Sequence, residues 1–263
     1  MTGVSTVLGG TMHVRTTALV TIAVLAATLT GCSSDKADSK PGHIAGDSAA
    51  VANQPSESRA DVRLVWSHTG KDDSGDTGVT YVARVTNPGN SLASVAIDAR
   101  ALDKTGAIVG SGRETLPNIP AHTTVDFLGT LGGSFTQLTG SPAKIDVTQA
   151  KDAFGRAGAV EQPMLATSEL KLTQGNRDDL FTNDPFSYDL TVKVTNSTHG
   201  DLQGMVTQQV ILYNAAGQIV GGDRGSSDNA PDNLPAGMSY REEWTGIPAQ
   251  GRATRAVYTV WEG

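Results

Sequence analysis

Several residue types that mark common protein classes are scarce in this chain. Its 263 residues include one cysteine, 5 histidines and 5% aromatic residues. A single cysteine excludes an intramolecular disulfide. Since the chain has no basic run and a formal net charge of -7, we expect no nucleic-acid partner. The 30 glycines and 11 prolines are more typical of many turns than of long helices.

Long apolar runs are also missing, and the longest one lies near the N-terminus. Residues 18–27 are apolar apart from Thr21, a stretch shorter than the roughly 20 residues of a membrane-spanning helix. It follows a weakly basic start at residues 12–15, as the apolar region of a signal peptide does. We therefore predict a signal peptide over residues 1–31, whose true start is either Met1 or Met12.

The one cysteine stands directly after this segment. Residues 29–32 read LTGC, which resembles the lipobox of bacterial lipoproteins. The resemblance implies that Cys32 becomes the N-terminus and carries a covalent lipid. We expect no other cofactor. It also implies an extracytoplasmic protein that is lipid-anchored to the bacterial cell membrane. The alternatives are an ordinary signal peptide with an incidental cysteine, or a buried free thiol.

A polar segment follows the cysteine. Residues 33–60 are mostly small and polar and include no aromatic residue, so they bury too little apolar area to fold. We predict that residues 32–60 are a lipidated cysteine followed by a flexible tether.

One phrase occurs twice in the remaining chain. Residues 101–110 (ALDKTGAIVG) align with residues 212–221 (LYNAAGQIVG). Period-two apolar patterns and Asn-, Gly- or Pro-containing turns surround both copies, which predicts strands and hairpins. Six or seven strands per copy are typical of an immunoglobulin-like sandwich. We predict an all-β chain with two tandem antiparallel sandwiches, each burying its own core: domain 1 over 61–150, a linker over 151–164 and domain 2 over 165–263.

The repeated phrase also resembles a known motif. The pattern of Val210, Leu212, Tyr213 and Asn214 is similar to the naming motif of the FxLYD domain, a small β-sandwich of prokaryotic surface and secreted proteins; residues 99–103 match it more weakly. The V-x-N element of that family resembles residues 85–87 and 194–196. The resemblance implies a structural motif without catalytic residues.

Aromatic residues divide into two groups. Those in predicted strands are expected to be core residues; they are Trp66, Tyr81, Phe127, Tyr188, Tyr213, Trp244, Tyr258 and Trp261. Phe181 and Phe186 flank a polar loop and are candidates for contact with a partner. The alternative for both is packing back onto the sheet edge.

Acidic loops raise the question of calcium, because that ion takes oxygen ligands. The candidates are Asp72 and Asp76 in one loop and Asp223, Asp228 and Asp232 in another. The first loop departs from the EF-hand order, since Thr77 separates the third acid from the glycine. Solvated turns are the alternative explanation.

The sequence favours no enzyme. The histidines lack the local spacing of zinc ligands, no Gly-x-Ser-x-Gly motif is present, and we predict no catalytic residue and no transition-metal site. The expected function is non-enzymatic binding or assembly in the cell envelope. The expected partners are the membrane, through the lipid, and another envelope protein or polymer. The alternative is a lipoprotein that binds a solute or calcium.

Overall fold

Antiparallel strands form the regular structure of the residues that the computed structural model describes, which are 60–72, 75–133, 137–150, 164–177 and 183–262. No α-helix occurs in these ranges, and the predicted all-β, antiparallel fold is confirmed. The strands are β1 Asp61–Lys71, β2 Thr77–Thr86, β3 Ala96–Leu102, β4 Ile108–Thr115, β5 Thr124–Gly132, β6 Lys144–Gln149, β7 Ala166–Gln174, β8 Phe186–Thr195, β9 Leu202–Gln203, β10 Val206–Tyr213, β11 Ile219–Ser226, β12 Asn233–Leu234, β13 Ser239–Ala249 and β14 Arg255–Glu262. Within these ranges, no helix has the length and apolar character needed to cross a membrane.

Alternation of apolar and polar residues along the chain explains why strands such as β8 form. In β8, Leu190, Val192 and Val194 are buried, and the polar residues between them face the other side. Because successive strand residues point to opposite faces of a sheet, this pattern buries one face and leaves the other polar. All eight aromatic residues assigned to strands lie in strands. β5 and β13 continue past Phe127 and Trp244 to Gly132 and Ala249.

The two halves of the described chain, residues 60–150 and 164–262, share one strand arrangement. The first half contains the sheets β1-β2-β5 and β4-β3-β6. The second contains a six-stranded sheet in the order β14-β10-β11-β13-β8-β7, with β9 paired to β12. A single residue pair, Gly221 with Ala249, joins its β14-β10-β11 and β13-β8-β7 parts. The β14-β10-β11 part matches the sheet β6-β3-β4 of the first half strand for strand. The β13-β8-β7 part matches the sheet β5-β2-β1 in the same way.

The repeated phrase forms the same hairpin turn in both halves. The side-chain oxygen of Asp103 accepts hydrogen bonds from the amides two and four residues further along, at 2.8 and 2.9 Å. Asn214 makes the same two bonds at 3.0 and 2.9 Å. Gly106 and Gly217 follow with φ of 87° and 75°, a conformation that glycine adopts without a Cβ clash. The sequence repeat is therefore a repeat of turn chemistry.

A buried asparagine directly follows β2, and another directly follows its counterpart β8. The Nδ2 of Asn87 donates to the carbonyl of Ile119 at 2.9 Å. The Nδ2 of Asn196 donates to the carbonyl of Leu234 at 2.8 Å. Both asparagines are almost fully buried, so each one satisfies loop carbonyls that water cannot reach.

The apolar core consists of two large clusters and one small one. The first cluster draws on the first half, including Tyr81 and Phe127, and the second draws on the second half. Trp261 is an exception to the expected separation, since this β14 residue is buried in the first cluster. The small third cluster joins residues of both halves. The halves therefore pack against each other within one compact unit.

Several predicted segments lie outside the described residues. These are the signal peptide over 1–31, the lipidated Cys32 with its tether apart from Ala60, and the linker apart from Met164. The predicted domain limits at 61–150 and 165–263 stay predictions.

Candidate binding groove

The two halves meet through the outer faces of two sheets. Val82 and Leu128, neighbours across β2 and β5, contact Ile211 and Tyr213 of β10. All four side chains are buried. Gly222 of β11 permits this approach, because a Cβ at its position would lie 2.7 Å from a methyl carbon of Leu128. Burial of apolar area at this junction stabilises one arrangement of the halves.

Gln209 adds a polar contact at the free edge of β5. Its Oε1 accepts a hydrogen bond from the amide of Leu128 at 2.9 Å. Its Nε2 donates to the carbonyl of Asp126 at 2.8 Å. The side-chain amide thus makes the pair of bonds that a neighbouring strand would make. Gln209 is 1% exposed, so its loss would leave the buried amide of Leu128 without a partner.

The carboxylate of Asp126 gathers groups from both halves. Arg84 donates two hydrogen bonds to it at 2.6 and 2.7 Å, and the Tyr213 hydroxyl donates a third at 3.0 Å. Burial works to raise the pKa of Asp126, but the bonds from Arg84 and Tyr213 outweigh it and hold that pKa below its usual value. Burial, with the Asp126 charge, raises the pKa of Tyr213 to about 12. At neutral pH the site therefore holds an ionised carboxylate and a protonated phenol.

An ionic contact also joins the halves. Arg224 of β11 donates to Glu114 of β4 at 2.9 Å. Its guanidinium also lies over the ring of Phe127 at 4.7 Å and over that of Trp261 at 5.6 Å. Each such cation–π contact contributes roughly 0.5–2 kcal/mol.

An open groove of about 560 Å³ lies beside this junction. Its volume falls within the roughly 300–1,000 Å³ typical of ligand sites. The groove is lined by charged, hydroxyl and apolar side chains from both halves: Arg63, Arg84, Thr86, Thr124, Val125, Asp126, Met164, Tyr213, Val257 and Thr259.

Positive charge dominates the groove although the whole chain is acidic. Arg63 is exposed and its side chain makes no hydrogen bond to a described residue, while its charge lowers the pKa of Asp126. Arg84 uses only two of its three nitrogens on Asp126. Arg255 lies over the Tyr213 ring at 4.1 Å. Arg63 and Arg84 thus line the groove beside one carboxylate, that of Asp126, which leaves guanidinium donors for an anionic ligand.

The predicted acidic residues of the first loop act in a turn. The carboxylate of Asp72 accepts a hydrogen bond from the amide of Asp76 at 2.9 Å. The amide of Asp72 in turn donates to the carbonyl of Asp76 at 3.1 Å. These bonds close the hairpin between β1 and β2, in the way that aspartate side chains commonly do.

The other three acidic candidates are spread along β11 and the loop after it. Asp223 lies within β11, while Asp228 and Asp232 are exposed beyond it. Burial raises the pKa of Asp223 to about 6, against hydrogen bonds from the Arg224 amide and Trp244. In the part of the chain that the structure describes, no three His, Cys, Asp or Glu residues form a group suited to a metal ion.

The two candidate aromatic contacts have different outcomes. Phe181 lies outside the described residues. Phe186 begins β8, is partly buried and packs against the second core cluster. Phe186 therefore packs on the sheet of the second half, and its contact with a partner stays a prediction.

A buried polar cluster occupies the interior of the second half. Glu242 is 1% exposed and accepts hydrogen bonds from Ser227, Asn229 and Gln208. Tyr258 donates to Gln208 at 2.6 Å. None of these residues lines the groove, and their bonds satisfy one another within the core.

The sequence alone does not mark the charged groove residues as a site. Arg63, Arg84 and Asp126 lie on the polar side of alternating strands, where charged residues are ordinary. The available signal was the loss of alternation at residues 81–83 and 210–213, because consecutive apolar residues indicate a strand that is covered on both faces.

Comparison with known proteins adds no identification. No protein-family model matches the chain, and no curated protein matches it.

Proposed function

We propose that this protein is a lipid-anchored, non-enzymatic binding or assembly module of the bacterial cell envelope, and that the groove between its halves is the binding surface. The observation that carries the proposal is the groove itself. Unused arginine donors lie there beside apolar side chains from both halves, and such a mixture suits recognition of a ligand.

The anchoring part of the proposal rests on the sequence. The LTGC box at residues 29–32, the apolar run before it and the polar segment after it support lipid attachment at Cys32. The polar segment leads directly into β1, the strand that carries Arg63. Two acyl chains hold a protein on a bilayer far more firmly than one.

The chemistry of the groove favours binding over catalysis. A general base works best with a pKa near the operating pH, whereas the pKa of Asp126 is lowered and the carboxylate is bonded to Arg84 and Tyr213. These groups are well suited to hold a fixed charge pattern. The FxLYD-like phrase supports the fold part of the proposal only.

A second candidate is capture of a small solute in the same groove, because its volume is that of a small-molecule site. Calcium binding remains a separate prediction.

Site-specific photo-crosslinking in living cells tests the binding surface. A photoreactive amino acid replaces Val257, an exposed groove residue, and in a matched control it replaces Lys104 in the β3–β4 turn. We expect a macromolecular adduct from position 257 and none from position 104. A small-molecule adduct would favour solute capture, and equal or absent adducts at both positions would contradict the proposal.

Fractionation tests the anchor. We expect the intact protein in the membrane fraction and the Cys32→Ala variant in the medium or periplasm. Retention of that variant in the membrane fraction would contradict lipid anchoring.

A further inference from the structure

We infer that the groove accepts an extended acidic peptide segment, which pairs with the open edge of β14 and places a carboxylate on Arg63 and Arg84. This inference rests on the proposed function and names its ligand class. Three features of the described residues support it: an open strand edge, a charge pattern and an apolar strip, all at one groove.

The open edge belongs to β14, the terminal strand of its sheet. On the side away from β10, the described residues reach it only near its C-terminal end. There the amide of Leu165 donates to the carbonyl of Val260 at 2.9 Å, and Met164 bridges to Trp261. Within the described ranges, no strand lies along residues 255–258 on that side. Such an edge offers backbone donors and acceptors to an added strand.

The length of the open edge fits a short peptide. Four residues of extended chain span about 13 Å, and the groove beside them has a volume of about 560 Å³. Met164 already pairs with β14 at one end of the groove. An added strand would therefore continue a pairing that the chain itself begins.

The charges specify an acidic ligand. The side chain of Arg63 has no hydrogen bond to another described residue, and Arg84 keeps one terminal nitrogen unused by Asp126. A carboxylate matches the planar guanidinium group and forms charge-assisted bonds with it. A neutral or basic peptide would leave these arginines unmatched.

Apolar side chains in the groove, which form an apolar strip, favour a peptide in which acidic and apolar residues alternate. Met164 and Val257 line the groove, and Val257 is 38% exposed. Since successive side chains of an extended peptide point in opposite directions, acidic and apolar residues at alternating positions can satisfy the arginines and the strip. An anionic lipid headgroup would meet the arginines but would not use the strand edge.

The test uses a fluorescent peptide of alternating valine and glutamate, six residues long and capped at both ends, with the full-length Cys32→Ala chain. Fluorescence anisotropy should show saturable binding, weakened by salt, and a glutamine version of the peptide should bind roughly tenfold more weakly. Arg63→Gln should weaken binding by a similar factor. Arg100→Gln, an exposed arginine of β3 outside the groove, is the matched control and should not change it.

Backbone methylation tests the strand pairing without altering the protein. In an extended peptide, alternate amides point to opposite edges. One version of the peptide is N-methylated on the amides of one edge, and the second version on the amides of the other edge. One version should lose binding and the other should keep it, since only one peptide edge faces β14. Equal binding by both versions, or no dependence on Arg63, would overturn the inference.

Two outcomes separate this inference from the proposed function. A cellular adduct at position 257 without binding of the acidic peptide would reject the peptide class and leave the groove as the binding surface. Binding of anionic phosphatidylglycerol vesicles that depends on Arg63, with no peptide binding, would replace the peptide with a lipid surface and overturn the inference.

Discussion

The side chain of Gln209 hydrogen-bonds the edge of β5, where its Oε1 accepts from the amide of Leu128 at 2.9 Å. These two residues lie in different halves of the described chain. The bond ties the backbone of one half to a buried side chain of the other. Together with the Asp126 cluster, it fixes the walls of the groove.

Substitution of Gln209 tests this contact. Gln209→Ala should lower the free energy of unfolding by about 2 kcal/mol, because the buried Leu128 amide and the partly buried Asp126 carbonyl lose their partners. Urea denaturation followed by tryptophan fluorescence measures the change. Gln203→Ala, at an exposed position of β9, is the control and should have little effect; equal effects of both substitutions would contradict the structural role.

The close approach at Gly222 can be tested by adding one methyl group. Gly222→Ala should destabilise the protein by about 1–3 kcal/mol, since the new Cβ would lie 2.3 Å from the Val210 carbonyl oxygen and 2.7 Å from Leu128. The φ of 151° adds backbone strain. Thermal unfolding compares it with Gly200→Ala, where a Cβ meets nothing within 4 Å. A Gly222→Ala variant as stable as that control would show that the halves do not pack this closely.

The raised pKa of Asp223 makes a pH-dependent contribution to stability. Burial raises this pKa to about 6 in the folded chain, above the value of about 3.9 in an unfolded one. The folded state therefore binds the proton more tightly, and this stabilisation is lost as the pH rises through 6. Relative to Asp223→Asn, the wild type should lose about 1 kcal/mol between pH 5 and pH 8. If the free energy of unfolding changes with pH in the same way for the wild type and for Asp223→Asn, Asp223 makes no such contribution.

The calcium and turn explanations of Asp72 make different predictions. If Asp72 holds the turn, Asp72→Ala should cost about 1 kcal/mol, and Asp72→Asn should cost little, because the amide oxygen also accepts the Asp76 bond. We expect both results to be the same with millimolar calcium and with a chelator. Calcium-dependent stabilisation that both substitutions abolish would instead establish a calcium site.

The local features of the fold could be read from the sequence. Asp103 and Asn214 have the sequence signature of turn residues, because an aspartate or asparagine three residues before a glycine can form the hydrogen bonds of the turn. The alternation of Leu190, Val192 and Val194 with polar residues indicates the strand β8. These signals are confined to short segments, so they need no knowledge of the rest of the chain.

The junction could not be read in the same way. Gln209 and Leu128 are 81 residues apart, and each is an ordinary residue for its strand. Trp261 was expected in a core, but its position in the first cluster depends on how the halves pack. The groove follows from that packing, and packing between remote strands leaves only a weak trace in the sequence.

Hydrogen exchange at the Leu128 amide tests most directly whether the two halves are held in the single arrangement that forms the groove. In the wild type this edge amide is bonded to the buried Gln209, so NMR should show slow exchange, and Gln209→Ala should accelerate it selectively. Fast exchange of the Leu128 amide in the wild type, or an unchanged rate in the variant, would contradict the account.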